Sequence, residues 1–154
     1  MLTLDAPARV APQLVIALGN PSRGDDALGP LLAERLEALK LRGVEVLTDY
    51  QLQIEYALDL RGREAVIFVD ASVSGDAPFT LEAIGPQGDR SVTTHALSPQ
   101  ALLGGYRRLT GETPPSARLL AVRGYAFELG AGLSEGASRN LERAFVALVS
   151  QLRG

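Results

Sequence analysis

The 154-residue sequence predicts an α/β fold in three layers: an open, twisted, mostly parallel sheet of about five strands with helices on both faces. Three observations predict it. Strand-like and helix-like segments alternate along the chain, as they do in sheets built from crossover connections. Ala65 to Val69 is a continuous apolar run, which is typical of a central strand buried on both faces. Leu14 to Pro30 passes from an apolar strand through a glycine-containing loop into an amphipathic helix.

The first half of the chain predicts three strands joined by two helices. Leucines at helical spacing from Leu28 to Leu39 indicate the first helix, with Asp25 or Asp26 near its start. In chain order, the predicted elements are a strand over Leu14–Leu18, the leucine helix, a strand over Val44–Leu47, a helix over Gln51–Leu60 and a strand over Ala65–Val69.

The second half predicts two more strands and two more helices. Ser98 and Pro99 begin a helix that runs to about Leu109, because serine is a favoured N-cap and proline is favoured in the first turn. The other predicted elements are a strand over Phe79–Ile84, a strand over Arg118–Val122 and a closing amphipathic helix over Ser134–Leu152.

Length and composition suit one domain over residues 1–154, with residues 1–12 expected as a poorly ordered lead-in. The net charge of -3 and the lack of a lysine or arginine cluster argue against a nucleic-acid partner. No stretch approaches the roughly 20 apolar residues of a membrane span, and the N-terminus lacks the pattern of a secretory signal. The sequence therefore predicts a cytoplasmic protein without a membrane partner.

The reactive side chains are few. The chain has no cysteine and one histidine, His95, so it has no disulfide, no thiolate ligand and no catalytic cysteine. A zinc-protease HExxH site needs two histidines, and the G-x-S-x-G motif of serine hydrolases is absent. A metal site built from this chain must therefore use mainly carboxylates, with at most one imidazole.

Acidic residues follow two of the predicted strands. Asp25 and Asp26 come after the first strand, Asp70 ends the third, and His95 precedes the third helix. Since the carboxyl ends of parallel strands meet at one edge of a sheet, we expect Asp26, Asp70 and His95 to form one cluster there. Each residue also has a structural interpretation, since aspartates often cap turns and favour helix N-termini. The residues alone therefore indicate an α/β domain with a candidate carboxylate-histidine site.

Three segments resemble one known family. Gly19-Asn20, a short spacer, the acid pair Asp25-Asp26 and Gly29 resemble the signature of the hydrogenase maturation proteases. Asp70-Ala71 and the stretch from Thr94 to Pro99 resemble the family's second carboxylate and its histidine segment. These enzymes trim the C-terminal extension from the large subunit of nickel-iron hydrogenases. The resemblance runs from about Leu14 to Leu152.

Two further stretches resemble one branch of that family. Tyr50 to Glu55 and Leu120 to Gly124 are similar to the branch that serves soluble, NAD-reducing hydrogenases. One departure is Ala27-Leu28-Gly29, where many members have Gly-Val-Gly or Gly-Ile-Gly after the acid pair. That change is conservative at the start of a helix.

The resemblance implies an endopeptidase that acts on a hydrogenase large-subunit precursor already loaded with nickel. It implies that Asp26, Asp70 and His95 are catalytic residues that bind metal. Because Asp25 is adjacent to this site, we expect it to assist by orientation or as a base. The nickel is carried by the substrate protein and no organic cofactor is expected. The free protein is expected to be a monomer that binds metal weakly or not at all.

Two other classes of protein remain as alternatives. A non-enzymatic recognition module or chaperone for a metalloenzyme precursor would use the same three residues without cutting. A nucleotide-binding α/β domain would share the architecture, but Asp25 and Asp26 stand where a phosphate would bind and would repel it. Cleavage of a nickel-loaded precursor separates the first two classes, and nucleotide titration tests the third.

Overall fold

The computed structural model describes residues 9–87 and 97–153. The strands of this part form one five-stranded sheet in the order β2-β1-β3-β5-β4. Neighbouring strands are parallel except β4, which lies at one edge and runs antiparallel to β5. The mostly parallel α/β sheet confirms the predicted fold class. The strands are β1 Gln13–Leu18, β2 Val44–Asp49, β3 Ala65–Ser72, β4 Phe79–Ile84 and β5 Ser116–Arg123.

Helices cover both faces of the sheet. The α-helices are α1 Leu28–Ala38, α2 Pro99–Thr110 and α3 Glu135–Arg153, and two 3-10 helices span Gly24–Ala27 and Ile54–Leu60. Side chains alternate along a strand, so β1 sends Val15 and Ala17 into the core under α1 and α3. Leu14 and Ile16 enter the second core, under α2 and the longer 3-10 helix. The two cores give the protein its three layers.

The strand register brings four strand ends together. Leu18 of β1 is paired with Asp49 of β2, Ala17 with Val69 of β3, and Asp70 with Ala121 of β5. Because these four strands are parallel, their carboxyl ends share one edge of the sheet. We call this the carboxyl edge. It is where ligands bind in open α/β sheets.

The start of α2 confirms the sequence interpretation. Ser98 is the N-cap, and its hydroxyl accepts a hydrogen bond from the Ala101 amide at 3.1 Å, while Pro99 takes the first helical position. The helix ends at Gly111, whose φ of 70° is the left-handed conformation in which glycine is favoured.

Two local predictions need correction. Gln51–Leu60 was predicted as one helix, whereas the structure has a 3-10 helix that begins only at Ile54. Its tighter turn places residues three apart on one side, and this directs both Ala57 and Leu60 into the core. Asp25 and Asp26 lie in the 3-10 turn before α1, and α1 begins without a side-chain cap.

The expected lead-in is described only in part. Residues 1–8 lie outside the described residues. Ala11 accepts a hydrogen bond from Arg63 at 2.8 Å, and Pro12 accepts one from the Glu64 amide at 2.8 Å, so the chain joins the folded body before β1 begins. Among the helices of the described part, none is long and apolar enough to cross a membrane.

Candidate functional site

The connection between β1 and α1 packs backbone directly on backbone. Gly19 has a φ of 144°, and a Cβ there would overlap the carbonyl oxygen of Asp26. A Cβ on Gly29 would overlap the carbonyl oxygen of Leu18. These two contacts require glycine, and they hold the Asp26 backbone against the end of β1.

Asp26 lies partly exposed at the carboxyl edge. Its Oδ2 accepts a hydrogen bond from the Asn20 amide at 2.7 Å. The Asn20 side chain in turn accepts a hydrogen bond from the Ser22 amide at 2.9 Å and so shapes the turn. The loop thus orients the Asp26 carboxylate with a main-chain donor while leaving it in contact with solvent.

Asp70 occupies the same edge, near the end of the neighbouring strand β3. Its Oδ1 accepts a hydrogen bond from the Ala71 amide at 2.8 Å, and its side chain is partly buried. The pKa of Asp70 is raised to about 6 as a net result: burial is the main cause of the rise, the Ala71 amide opposes it, and the negative charge of Asp26 adds to it. The structure therefore brings these two predicted site residues close enough for their charges to interact.

The third predicted member, His95, falls in residues 88–96 and lies outside the described residues. Within residues 9–87 and 97–153, no group of three histidine, cysteine, aspartate or glutamate side chains is placed to hold a metal ion. The described part of the predicted site is thus the pair Asp26 and Asp70, and the participation of His95 stays a prediction.

Asp25 has a different environment from its neighbour. It is fully buried, and its Oδ2 accepts hydrogen bonds from the Tyr125 amide at 2.6 Å, the Ala126 amide at 3.0 Å and the Ser134 hydroxyl at 2.6 Å. Its Oδ1 accepts from the Ser134 amide at 2.7 Å. Both oxygens point into the protein, which favours the predicted orienting role over the role of a base.

The hydrogen bonds also determine the charge state of Asp25. Burial on its own raises the pKa of this carboxyl, but the hydroxyl and amide of Ser134 and the amides of Tyr125 and Ala126 together outweigh burial. The net result is a pKa below the ordinary value, so Asp25 is a buried carboxylate stabilised as the anion by its donors.

Further contacts join the same two stretches of chain, 22–25 and 124–134, which we call the pinned loops. The Asp25 amide donates to the Ala126 carbonyl at 2.7 Å, and the Gly130 amide donates to the Ser22 carbonyl at 2.8 Å. A Cβ on Gly24 would overlap the Ala126 carbonyl oxygen, so these backbones also touch. The loop after β5 is thereby fixed beside the loop that carries Asp26.

A third acid at the carboxyl edge, Asp49, is occupied by local donors. Its Oδ2 accepts from the Tyr56 hydroxyl at 2.7 Å and its Oδ1 from the Tyr50 amide at 2.6 Å. Burial, together with the hydrogen bond and charge of Asp49, raises the pKa of Tyr56 to about 12. Asp49 therefore anchors the longer 3-10 helix to the end of β2.

The hollows of the surface lie at both edges of the sheet. A hollow of about 250 Å³ adjoins Gly19 at the carboxyl edge, between Pro21, Pro30 and Tyr50. A larger one of about 540 Å³ lies at the opposite edge, near Gln13 and Ser116. The larger hollow is remote from the interacting carboxylates, so its volume does not mark the candidate site.

Sequence reasoning did not identify the partners of Asp25. Tyr125, Ala126 and Ser134 lie about 100 positions further along the chain, and Ser134 was interpreted only as the start of the last helix. Three of the four donors are the backbone amides of Tyr125, Ala126 and Ser134. A backbone amide is present whatever the residue type, so the sequence does not reveal these donors. The sequence signal that was present is the adjacency of two acids in one short turn.

Fold and site together define a three-layer α/β protein with an acidic site at the carboxyl edge of its sheet. Solved structures of that kind match it over nearly its whole length. The hydrogenase maturating endopeptidase HybD from Escherichia coli has 28% sequence identity and a TM-score of 0.71, over 92% of this chain and 91% of that one. The [NiFe] hydrogenase maturation protease HycI from Thermococcus kodakarensis has 26% identity and a TM-score of 0.72, over 94% of each chain.

No family model and no curated protein sequence matches the chain. The structural matches at 26–28% identity agree with the sequence signature in Gly19–Gly29. These matches support the hydrogenase maturation protease family for this chain, and with it a hydrolase of the protease class.

Proposed function

We propose that the protein removes the C-terminal extension from the large-subunit precursor of a nickel-iron hydrogenase after nickel has been inserted. In this proposal Asp26, Asp70 and His95 engage the nickel that the precursor carries. The observation that supports it best is the pair of interacting carboxylates at the carboxyl edge, where the pKa of Asp70 is raised to about 6. Relatives with this fold are maturation endopeptidases.

The electrostatics of the pair favour a cation. Two carboxylates that share a partly buried site repel each other when both are ionised, and a cation between them removes that repulsion. Carboxylate oxygens and one imidazole supply three ligands and leave coordination positions open. Such a set is suited to a metal that is already held by another protein. It would recognise nickel-loaded precursor and reject precursor without metal.

The surroundings of the pair suit a polypeptide substrate. Tyr50 is 63% exposed beside the hollow at Gly19, and Val73, just beyond β3, is 68% exposed. These apolar side chains lie at the same edge as Asp26 and Asp70, where a precursor chain would have to lie for cleavage. The resemblance of Tyr50–Glu55 to the branch that serves NAD-reducing hydrogenases is the basis for proposing a partner of that kind.

The test is cleavage of a nickel-loaded large-subunit precursor, followed by mass spectrometry of the large subunit. We expect the wild-type protein to remove the extension, and to leave nickel-free precursor intact. Asp26→Asn should abolish cleavage, because it removes a charged ligand while the amide oxygen still accepts from Asn20. Asp76→Asn is the matched control, because Asp76 is exposed in the loop after β3 and the charge change is the same.

The outcomes separate the alternatives. Wild-type protein that binds the loaded precursor stably without cutting it would instead be the recognition module. Asp26→Asn or His95→Ala protein that cleaves at the wild-type rate would remove that residue from the site. Equal cleavage of loaded and nickel-free precursor would contradict recognition through nickel.

A further inference from the structure

We infer that Asp25 is a positioning residue for this reaction. Its carboxylate accepts four hydrogen bonds from the two ends of the loop after β5, and we call these bonds the clamp. They fix the position of Asp26 relative to that loop. The inference rests on the proposed function. It gives a role to the carboxylate of Asp25, which is buried although the adjacent residue, Asp26, is a proposed site residue.

One carboxylate holds two points of the chain that are nine positions apart. Tyr125 and Ala126 donate to it from the start of the loop, and Ser134 donates to it twice from the end. The stretch between them is closed at its base, in the manner of an Ω-loop. Its outer part is exposed, with Leu129 at 74% exposure.

The outer part of the loop after β5 is also hydrogen-bonded to the residues just before Asp26. The Gly130 amide donates to the Ser22 carbonyl at 2.8 Å, and the Arg23 guanidinium donates to the Phe127 carbonyl at 3.4 Å. These contacts fix the outer loop as a wall beside the turn that carries Asp26. The turn and the wall therefore move as one unit while the Asp25 bonds are intact.

The clamp also includes the N-terminal end of helix α3. The Ser134 hydroxyl donates to Asp25 and also accepts from the Ala137 amide at 3.2 Å, as an N-cap does. The anion also lies at the N-terminal end of α3, where the helix dipole favours negative charge. Asp25 thus ties the turn before Asp26 to a 19-residue helix, which is a rigid reference within the fold.

Loss of the clamp would displace Asp26 without touching its carboxylate. Asp25 and Asp26 are consecutive in a 3-10 turn of four residues, so a shift of one carries the other. Misplacement of a catalytic group by about 1 Å can cost on the order of 100-fold in rate. The expected signature is a fall in kcat that is larger than any change in KM, because the rest of the surface that binds the precursor remains.

The experiment compares Asp25→Asn, Ser134→Ala and the control Leu148→Ala in the nickel-loaded precursor assay. Each variant is assayed at a temperature where its melting curve shows it folded. We expect Asp25→Asn to lower kcat by roughly 10- to 100-fold with KM within about threefold, in line with the cost of misplacement. Ser134→Ala removes one donor of four and should lower kcat less. Leu148→Ala opens a cavity under α3 far from the clamp and should keep the wild-type kcat.

A second readout does not depend on activity. Amide hydrogen exchange at Tyr125, Ala126 and Ser134 should be faster in Asp25→Asn than in Leu148→Ala of equal melting temperature. If Asp25→Asn does not fold, Ser134→Ala carries both readouts.

Three results would overturn the inference. They are a wild-type kcat in folded Asp25→Asn, an equal loss of kcat in Leu148→Ala, and unchanged exchange at the three amides. A wild-type protein that fails to cut any loaded precursor is a different failure, because it removes the proposed function, and the catalytic meaning of the clamp falls with it.

Discussion

Two carboxyl groups beside the same edge of the sheet have opposite electrostatic behaviour. Burial raises the pKa of both Asp25 and Asp70, yet the pKa of Asp25 ends below its ordinary value and that of Asp70 rises to about 6. Asp25 accepts four hydrogen bonds, whereas the described contacts give Asp70 one, from Ala71. Asp70 is also subject to the charge of Asp26.

The comparison shows that hydrogen-bond donors, rather than burial alone, decide whether the pKa of a carboxyl group in this protein ends below or above its ordinary value. A carboxylate that its donors have satisfied is a structural anion, and removing it strands those donors. A carboxylate short of donors and next to a like charge is destabilised when ionised, so it is available to a cation or a proton. The first description fits Asp25 and the second fits Asp70.

The largest effect is expected from Asp25→Ala. It leaves the Tyr125, Ala126 and Ser134 amides and the Ser134 hydroxyl without their acceptor inside the protein. We expect the free energy of unfolding at pH 7 to fall by roughly 3–5 kcal/mol, since each buried donor left unsatisfied carries a desolvation cost. Urea unfolding measures the change.

Asp76→Ala is the control for Asp25→Ala and should change stability by no more than about 0.5 kcal/mol, because Asp76 is exposed. The contribution of Asp25 should also depend on pH. Its folded pKa is lowered, so the stabilisation is fully present above the ordinary value of 3.8 and is lost as the pH falls through the folded value. A loss of similar size at every pH would contradict a charged clamp.

The second-largest effect is expected from Gly29→Ala, which tests whether the close backbone packing between β1 and α1 stabilises the protein. Gly29→Ala places a Cβ on the Leu18 carbonyl oxygen, which no side-chain rotation relieves. Alanine favours a helix by roughly 1 kcal/mol over glycine, but the overlap should dominate and lower stability by about 2–4 kcal/mol.

The matched control for Gly29→Ala is Gly136→Ala. Its Cβ would meet the ring of Tyr125 at 2.7 Å, and this half-exposed side chain is able to move aside. We therefore expect Gly136→Ala to be neutral or to stabilise by up to about 0.5–1 kcal/mol. Thermal melting of the two variants measures the difference. Similar destabilisation by both would contradict a particular requirement for glycine in the β1–α1 packing.

The smallest of the three effects has the opposite sign. Asp70 binds its proton more tightly in the folded protein, with a pKa of about 6 against an ordinary 3.8, so its ionisation destabilises the fold as the pH rises between these values. Asp70→Asn removes that cost and keeps an oxygen for the Ala71 amide. We expect a gain of about 1–2 kcal/mol at pH 8, below the full value of the shift because the group is partly exposed.

The pH dependence of Asp70→Asn is the sharper measurement. Well below pH 3.8 wild-type Asp70 is protonated in both the folded and the unfolded state, so the stabilities of the two proteins should converge there. Urea unfolding at about pH 3, 6 and 8 measures this. A variant less stable than wild type at pH 8 would place Asp70 with Asp25 as a structural anion and end the comparison.

Much of the fold could be predicted from the sequence because its signals are local. The apolar run Ala65–Val69, the leucine spacing after Leu28 and the Ser98-Pro99 cap each identified an element within one or two turns of its observed position. The segment Gln51–Leu60 was mispredicted in its helix type, because the need to bury both Ala57 and Leu60 depends on the two sheet faces rather than on local pattern.

For the candidate site, the strand order predicted only where two carboxylates lie, and the roles of Asp26, Asp70 and His95 stay predictions. The placement of Asp26 and Asp70 at one edge followed from the order of parallel strands. The separation of Asp25 from Asp26 did not, since it depends on amides about 100 positions away whose location only the folded chain determines. Two adjacent aspartates are chemically identical until the loop after β5 supplies its donors to one of them.

The distance along the chain between the two pinned loops has a consequence for biosynthesis. Segments β1, β2 and β3 all precede residue 73, so they emerge from the ribosome while residues 124–134 are still to be translated. Throughout that interval the Asp25 carboxylate lacks its donors Tyr125, Ala126 and Ser134, and the turn that carries Asp26 lacks the loop that later lies beside it. The edge that holds Asp26 and Asp70 is therefore completed only after Ser134 has been made and α3 begins to form.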